Sequence, residues 1–479
     1  MKKSINNGDA IKTYYVYDDF DRLRYVIPPK ASKQIGTVIP DTVYNELIYY
    51  YKYDKKGRKI LKKLPGAEPV YMVYDERDRL VLSQDGKQRA NNKWQFVKYD
   101  ALNRKVMNGV FTPSETYTLS EMQSKFDDFS GRTSGNLFEE KRQNNNQGYT
   151  LNQSFPEGLD ITTDDIHSII YYDNYDFVSR FNYNFEWPNN MKTVDKAGLP
   201  KGKVTGKQTR ILSTDQFLVT VNYYDEKGRM IQQHSENHLG GMDIVSKEYN
   251  FTGDVVKTKR KHSTEQGDPL VTWKFYHYDH AGRLVRKEHQ IGNDPAARVV
   301  LADMEYNEQG KLIKKRLHST EETNAFLQEV DYRYNIRGWM KNINDSQLSG
   351  ENDLFGMDLA YTYNGNISSM KWKAGNENEP KEKYEYNYDD LDRLKYAGYS
   401  VNVDTDMSGF GHYTTQYTYD QNGNIKSLKR GVLHGGEIGQ HMQYNYSGNK
   451  LLSLSDNGSN HNYTYDANGN MKTDGRKNT

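Results

Sequence analysis

The sequence predicts an all-β chain, built as a tandem array of antiparallel β-hairpins with a short helix in an inserted stretch. Three observations predict it. A seven-residue pattern of Tyr, Asp or Asn, two variable residues, Gly, a basic residue and an apolar residue recurs along the chain. Tyrosine supplies 40 of the 479 residues, while hydrophobic residues make up only 35%. The mean hydropathy of −0.97 leaves little Leu, Ile or Val for a thick core.

Disorder is the first alternative for so polar a chain, but it goes with high net charge and few aromatics. Here the net charge is +1 and 13% of residues are aromatic. A tyrosine buries its ring while its hydroxyl reaches water or a backbone partner, so a thin tyrosine-faced sheet is stable without a deep interior. Lys and Arg number 65 against 64 Asp and Glu, which removes the broad positive field of a nucleic-acid binder. With no cysteine, the chain has neither a disulfide nor a thiol nucleophile. Met1 to Ala10 carries two lysines and no apolar run, unlike a signal peptide, and no stretch reaches membrane-spanning length, so no membrane insertion is expected. Repeat-like sequence starts at Tyr15-Val16-Tyr17-Asp18 and continues to the last residues, as expected for a piece of a longer protein.

Twelve full copies of the pattern begin at Tyr17, Tyr53, Tyr74, Tyr99, Tyr224, Tyr249, Tyr278, Tyr306, Tyr334, Tyr388, Tyr419 and Tyr465. From Tyr224 to Tyr446 neighbouring copies lie about 25 to 31 residues apart, room for two strands and a connection. Each position has a mechanical reason if the loop is a three-residue hairpin loop, a type I turn followed by a left-handed residue and a bulge. In Tyr224-Asp225-Glu226-Lys227-Gly228-Arg229-Met230, Asp225 opens the turn and accepts backbone N–H groups ahead of it. Gly228 takes the positive φ, Asp225 faces Arg229, and Tyr224 faces Met230 across the strands.

The same roles fall to Asp18, Asp21 and Arg22 beside Tyr17; Asp279, Gly282 and Arg283 beside Tyr278; Asp420 and Gly423 beside Tyr419; and Asp466 and Gly469 beside Tyr465. Where glycine is missing the residue is Asp21, Asp78, Asn103 or Asp392, types that tolerate the left-handed region best after glycine. Two places before the motif tyrosine stands another in seven copies, at Tyr15, Tyr51, Tyr276, Tyr332, Tyr386, Tyr417 and Tyr463. Period two puts both rings on one face, so stacked repeats make a tyrosine ladder. Tyr363-Asn364-Gly365-Asn366 and Tyr446-Ser447-Gly448-Asn449 read as shortened copies with two-residue turns.

The regularity weakens between Val110 and Phe217, where Tyr172-Asp173-Asn174-Tyr175-Asp176 keeps a trace of the motif. This divides the chain into N-terminal repeats (1–109), an irregular or inserted segment (110–217) and a regular array (218–479). Leu119, Met122 and Phe126 recur at helical spacing within Pro113 to Phe129, with Gly131 as a stop. Lys141 to Gln147, with three consecutive asparagines, reads as a mobile surface loop.

No catalytic, cofactor or metal constellation emerges from the sequence. Gly202-Lys203-Val204-Thr205-Gly206-Lys207 has one residue too few for a phosphate loop and is followed by Gln208, so a strand is the plainer reading. Asp420-Gln421-Asn422-Gly423-Asn424 and Asp466-Ala467-Asn468-Gly469-Asn470 resemble the start of a calcium loop, but the glycine comes too early and no glutamate stands twelfth. His234, Glu236 and His238 follow a strand rather than lying on the helix a zinc hydrolase needs. Trp94, Trp187, Trp273, Trp339 and Trp372 are candidates for sugar stacking, with packing between hairpins as the plainer role.

Tyr17-Asp18-Asp19-Phe20-Asp21-Arg22-Leu23, Tyr278-Asp279-His280-Ala281-Gly282-Arg283-Leu284 and Tyr465-Asp466-Ala467-Asn468-Gly469-Asn470-Met471 resemble the Rhs/YD-repeat family over most of the chain. That family includes bacterial Rhs proteins, the C component of insecticidal toxin complexes, wall-associated proteins and animal teneurins. The resemblance implies a long antiparallel sheet spiralling into a hollow shell, which encloses a C-terminal toxin in some relatives and presents an adhesive surface in others. It also implies a bacterial protein that is exported or displayed at the cell surface. Relatives with a toxin carry an Asp-Pro-x-Gly-Leu-type segment that supports self-cleavage. Asp268-Pro269 and Asp294-Pro295 do not match it, so architecture is carried over and no catalytic residue.

The leading expectation is therefore a non-enzymatic shell segment whose partner is a C-terminal effector or toxin cargo. The alternative is a surface module binding carbohydrate or another cell. A hydrolase within 110–217 lacks a recognised nucleophile or metal set. A β-propeller needs about 40 to 45 residues per blade, more than this spacing supplies.

Overall fold

The computed structural model describes residues 2–6, 9–130, 137–142, 147–156, 161–181, 183–320, 325–350, 353–375, 380–401, 411, 413–431 and 438–477. The polar run expected as a surface loop and the glycine expected to stop the helix lie largely outside these residues. The chain is all-β and antiparallel, with a few short helices. Its contacts group into two units, one of Met1–Met72, Ser83–Asn91 and Asp331–Thr479, the other of Val73–Leu82 and Asn92–Val330.

The second unit is a meander in which each strand pairs antiparallel with the next. The series runs through Trp94–Tyr99, Lys105–Phe111, Ile166–Tyr172, Val204–Arg210, Phe217–Tyr224 and Met230–Glu236. It continues through Met242–Tyr249, Val255–His262, Leu270–Tyr278, Leu284–Ile291, Arg298–Tyr306 and Leu312–Thr320. Segments leave the meander after Phe111 and after Tyr172, and their apolar side chains cover the sheet.

The first of these segments contains the helix Leu119–Ser130. It begins later than the helical spacing suggested because Thr118 caps it: Thr118 N–H donates to Glu121 Oε2 (2.8 Å) and Glu121 N–H to Thr118 Oγ1 (3.3 Å). Met122, Phe126 and Phe129 are buried, and Phe126 meets Phe155 edge-on with ring centres 5.7 Å apart. After Tyr172, Phe177 stacks on Tyr171 at 4.2 Å. A Cβ on Gly206 would come within 2.1 Å of the Phe177 ring, so only glycine lets the strand pass under it.

The first unit has one run of paired strands over Asp9–Tyr17, Leu23–Ile27, Tyr49–Tyr53 and Lys59–Lys63. Another runs from Met340–Ile343 to Met471–Asp474. Three further short helices, Pro29–Ser32, Asp41–Leu47 and Gly86–Ala90, fall where the sequence suggested only repeats. They are too short for helical periodicity to reveal, and proline opens the first while an Asp85/Gln88 capping box opens the third. Ala31, Val43, Leu47 and Ile48 form a small core beneath the first two.

These connecting elements seat on hairpin tips some four hundred positions further along the chain. Lys30 N–H donates to Asn422 Oδ1 (2.9 Å), and its ammonium reaches Asp420 Oδ2 (3.3 Å) and the Gly448 carbonyl (3.0 Å). Lys450 pairs with Glu46 at 3.0 Å, and Glu68 N–H donates to the Ala467 carbonyl at 2.9 Å. Lys87 N–H donates to Asn468 Oδ1 at 3.1 Å. Asn422 and Asn468 thus use their side chains to hold backbone from the opening ninety residues.

The hairpin tips as candidate functional site

Most tips are built on one carboxylate that organises its own turn, with the side-chain oxygen of Asn250, Asn307 or Asn335 in its place in three others. In the copy at Tyr224, Gly228 N–H donates to the Asp225 carbonyl (2.9 Å) and Asp225 N–H to the Arg229 carbonyl (3.0 Å). Asp225 Oδ1 accepts the N–H groups of Lys227 (3.0 Å) and Arg229 (2.8 Å), while Oδ2 takes Arg229 Nε at 2.7 Å. Gly228 lies at φ 72°, and Tyr224 pairs with Met230 across a bulge at Tyr223/Tyr224.

Other aspartate tips share this arrangement. Asp18 takes Arg22 Nε at 2.9 Å, Asp279 takes Arg283 at 2.7 Å and Asp389 takes Arg393 at 2.7 Å. Where the sixth residue is asparagine the amide substitutes, Asn424 to Asp420 at 2.9 Å and Asn470 to Asp466 at 3.1 Å. Gly282, Gly423 and Gly469 have positive φ, and so do Asp21, Asp78, Asn103 and Asp392 in their places. The Arg22 side chain holds the Asp18 carboxyl below the usual range. For Asp279 the Arg283 backbone N–H contributes most to the same effect, and for Asp466 the Asn470 N–H does.

Tips are linked to one another by two bonds that run in opposite directions along the chain. Motif tyrosines donate their hydroxyls backward to the carbonyl of the apolar residue that closes the preceding tip. The series includes Tyr53 to Leu23 (3.0 Å), Tyr249 to Met230 (2.7 Å), Tyr278 to Val255 (2.9 Å) and Tyr306 to Leu284 (2.9 Å). It continues with Tyr388 to Ile367 (2.8 Å), Tyr419 to Leu394 (2.6 Å) and Tyr465 to Leu451 (2.9 Å). Burial raises the Tyr249 and Tyr278 hydroxyls above their ordinary pKa, and pushes that of Tyr446 up to about 12.

The motif arginine runs forward, lying over the next tyrosine ring and donating to the next turn's carbonyl. Arg22 is 5.2 Å from the Tyr53 ring centre and 3.1 Å from the Asp54 carbonyl. For Arg229 the distances are 4.9 Å to Tyr249 and 3.2 Å to Asn250; for Arg393 they are 4.6 Å to Tyr419 and 3.1 Å to Asp420. Such a guanidinium combines a charge-assisted hydrogen bond at its own turn with a cation–π contact at the next, worth about 0.5–1 kcal/mol when exposed. The trace of the motif at Tyr172 serves the same end. Arg104 lies 4.3 Å from the Tyr172 ring and bonds both oxygens of Asp173, at 2.8 and 2.7 Å.

The structure corrects one of the two shortened copies. Residues 361–367 form a full-length tip with Thr362 in the aspartate position. Gly365 N–H donates to the Thr362 carbonyl (3.1 Å), Thr362 N–H to the Asn366 carbonyl (2.7 Å), and Tyr361 pairs with Ile367. A threonine stands in the carboxylate's place there, its hydroxyl donating to the Asn366 carbonyl at 3.0 Å instead of accepting turn N–H groups, and a search for Asp or Asn passes over it. The turn at Ser447-Gly448-Asn449-Lys450 does have two central residues, with Gly448 at φ 59°.

The tryptophans mostly pack. Trp94 and Trp273 are buried, Trp372 stacks on Tyr384 at 5.5 Å, and Trp339 stands where the motif has arginine, 5.1 Å from the next tyrosine ring, Tyr361. His234 is buried in a strand, bonded to Gln232 at 2.8 Å, and burial lowers its pKa. Among the described residues no group of three or more His, Cys, Asp or Glu side chains is placed to hold a metal ion. None of their helices is long and apolar enough to cross a membrane.

These features define an all-β array of tyrosine-clasped hairpins. Among solved structures, the chain is similar to Tc toxin chains. The TcdB2-TccC3-Cdc42 crystal structure matches at 14% identity over 95% of this chain, with TM-score 0.44. The Photorhabdus luminescens Tc holotoxin pore carrying a TccC3 mutation matches at 13% over 97%, with TM-score 0.45. TcdB2-TccC3 without its hypervariable C-terminal region matches at 14% over 97%, also with TM-score 0.45. The chain spans 23% of the length of each of these. At such identities and TM-scores the likeness assigns no function. No family model and no curated protein matches the sequence.

Proposed function

We propose that the chain is a non-enzymatic wall segment of a large secreted or surface-displayed protein of the Rhs/YD-repeat kind, a scaffold that encloses a C-terminal effector or toxin. The observation that carries this reading is the repeated use of the chemically versatile residues as fasteners. Motif carboxylates shape turns, motif arginines bridge to the next turn, and motif tyrosine hydroxyls bond backbone carbonyls. A wall made this way is extended by adding copies and needs no thick core. Seating of Lys30 and Glu46 on the tips around Asp420 and Lys450 supports a wall in which distant copies brace one another.

The carbohydrate-binding reading draws little support from tryptophans that are packed against their own sheet. Cryo-EM of the longer natural protein tests the proposal. A continuous sheet surrounding density for the C-terminal segment is the expected result, and a C-terminal segment lying outside an open sheet would overturn it.

A further inference from the structure

Thirteen tips, counting the one at Tyr361, allow the sixth position to be compared along the array. It holds Arg22, Arg58, Arg79, Arg104, Arg229, Arg283 or Arg393 in seven, with Lys311, Trp339, Asn366, Asn424 and Asn470 in five more. The remaining tip has Asp254, the one acidic residue at this place. The substitutes mostly bridge to the following copy. Trp339 packs on Tyr361, Asn366 donates to Asp392 (2.8 Å) and Asn424 donates to Asn449 (3.0 Å).

Asp254 turns inward on its own turn, accepting from Asn250 (3.1 Å) and Thr252 (2.6 Å). Among the described residues no cation lies within ion-pair distance of it. An open cleft of about 820 Å3 separates its tip from the next, lined by Asp254, Tyr278 and Asp279 where a guanidinium lies between other tips. The other carboxylates that line the cleft and its lysine are engaged. Arg283 pairs with Asp279 (2.7 Å), His277 lies 3.4 Å from Glu288, and Glu248 accepts the Lys192 N–H (3.1 Å). Lys257 bonds the Asn190 carbonyl and lies 4.9 Å from the Trp273 ring.

We propose that this gap receives an arginine side chain from a basic peptide segment of a partner. The array itself specifies the ligand. Where Arg229 and Arg283 fill the equivalent places, the guanidinium lies 4.9 and 5.1 Å from the next tyrosine ring and donates to the next turn's carbonyl. An incoming arginine finds the same two features in Tyr278 and the Asp279 carbonyl, and the Asp254 carboxylate adds a charge partner. A lysine satisfies the charge alone, because its compact ammonium lacks the planar face and fork.

The test is calorimetric titration of the whole chain, at low salt, with the tripeptides acetyl-Gly-Arg-Gly-amide and acetyl-Gly-Lys-Gly-amide. The arginine peptide is expected to bind saturably and about tenfold more tightly than the lysine peptide. Binding is lost in Asp254→Arg, whose own side chain closes the gap, and weakened in Asp254→Asn, which keeps shape and removes charge. Absence of saturable binding, equal binding of the two peptides, or undiminished binding by folded Asp254→Arg or Asp254→Asn would each overturn the proposal.

Discussion

Between Trp94 and Tyr223 the sheet is backed by a filled interior, whereas between Tyr224 and Thr320 it is held mainly at its tips. The first stretch buries Trp94, Phe96, Phe111, Met122, Phe126, Tyr149, Phe155, Ile169, Tyr171 and Phe177. In the second, the buried apolar side chains are Ile231, Trp273, Val300 and Ala302, accompanied by Gln232, His234, Ser246, Glu288 and Gln290. One continuous meander thus uses two solutions to the cost of ordering a chain. In the filled stretch, side chains from the connecting segments bury apolar area. In the regular stretch, fixed hydrogen bonds between neighbours take over much of that role.

The filled stretch also contains its sharpest electrostatic commitment. Lys98 and Glu139 are both buried, with Lys98 Nζ 2.7 Å from Glu139 Oε1 and bonded to the carbonyls of Leu151 (2.9 Å), Ser154 (2.7 Å) and Pro156 (2.9 Å). Burial alone would raise the Glu139 pKa, but the Lys98 charge and the hydroxyls of Thr150 and Ser154 outweigh it and hold the carboxyl below its ordinary value.

Breaking that pair gives the largest expected effect. Glu139→Ala leaves the Lys98 ammonium buried with carbonyls alone and is expected to cost about 3–5 kcal/mol, read by denaturant unfolding. A cost under about 1 kcal/mol would mean that water enters and that the filled stretch is less dry than described. Next is Gly282→Val. The residue lies at φ 76° with nothing within 4 Å of an added Cβ, so the penalty is conformational, about 1–3 kcal/mol. Hydrogen exchange should speed up at residues 279–283 and leave 94–171 unchanged; a uniform response would erase the contrast between the stretches.

Tyr306→Phe removes one backward bond to Leu284 and is expected to cost about 0.5–1.5 kcal/mol, with faster exchange at its own junction. The smallest effect expected is an acid one. Arg104 holds the Asp173 carboxyl down to about 2, below the ordinary 3.8 of an aspartate, so this pair stabilises the fold fully above the unfolded value. Its contribution fades as pH falls through the folded value, and Asp173→Asn should flatten the stability profile between those two points. Partial exposure of both side chains keeps the change small.

The turns were legible in the sequence because their chemistry is local: Asp225 and Gly228 serve residues within four positions of themselves. The clasps were not. The partners of Tyr249 and Arg229 are 19 and 21 positions away, and only the strand register brings them together. Thr362 escaped notice because a hydroxyl that donates to the Asn366 carbonyl stands where the pattern has an accepting carboxylate. The filled interior was the least legible part. Tyr149, Phe155 and Phe177 follow no period, and their burial depends on where two irregular segments fold back.

The opposed directions of the clasp fasten each junction from both sides. At one of them the later copy supplies the Tyr306 hydroxyl and the Asn307 carbonyl, and the earlier copy supplies the Leu284 carbonyl and the Arg283 guanidinium. Neither copy carries both halves of either bond, so the clasp belongs to the junction and exists only where two copies stand side by side.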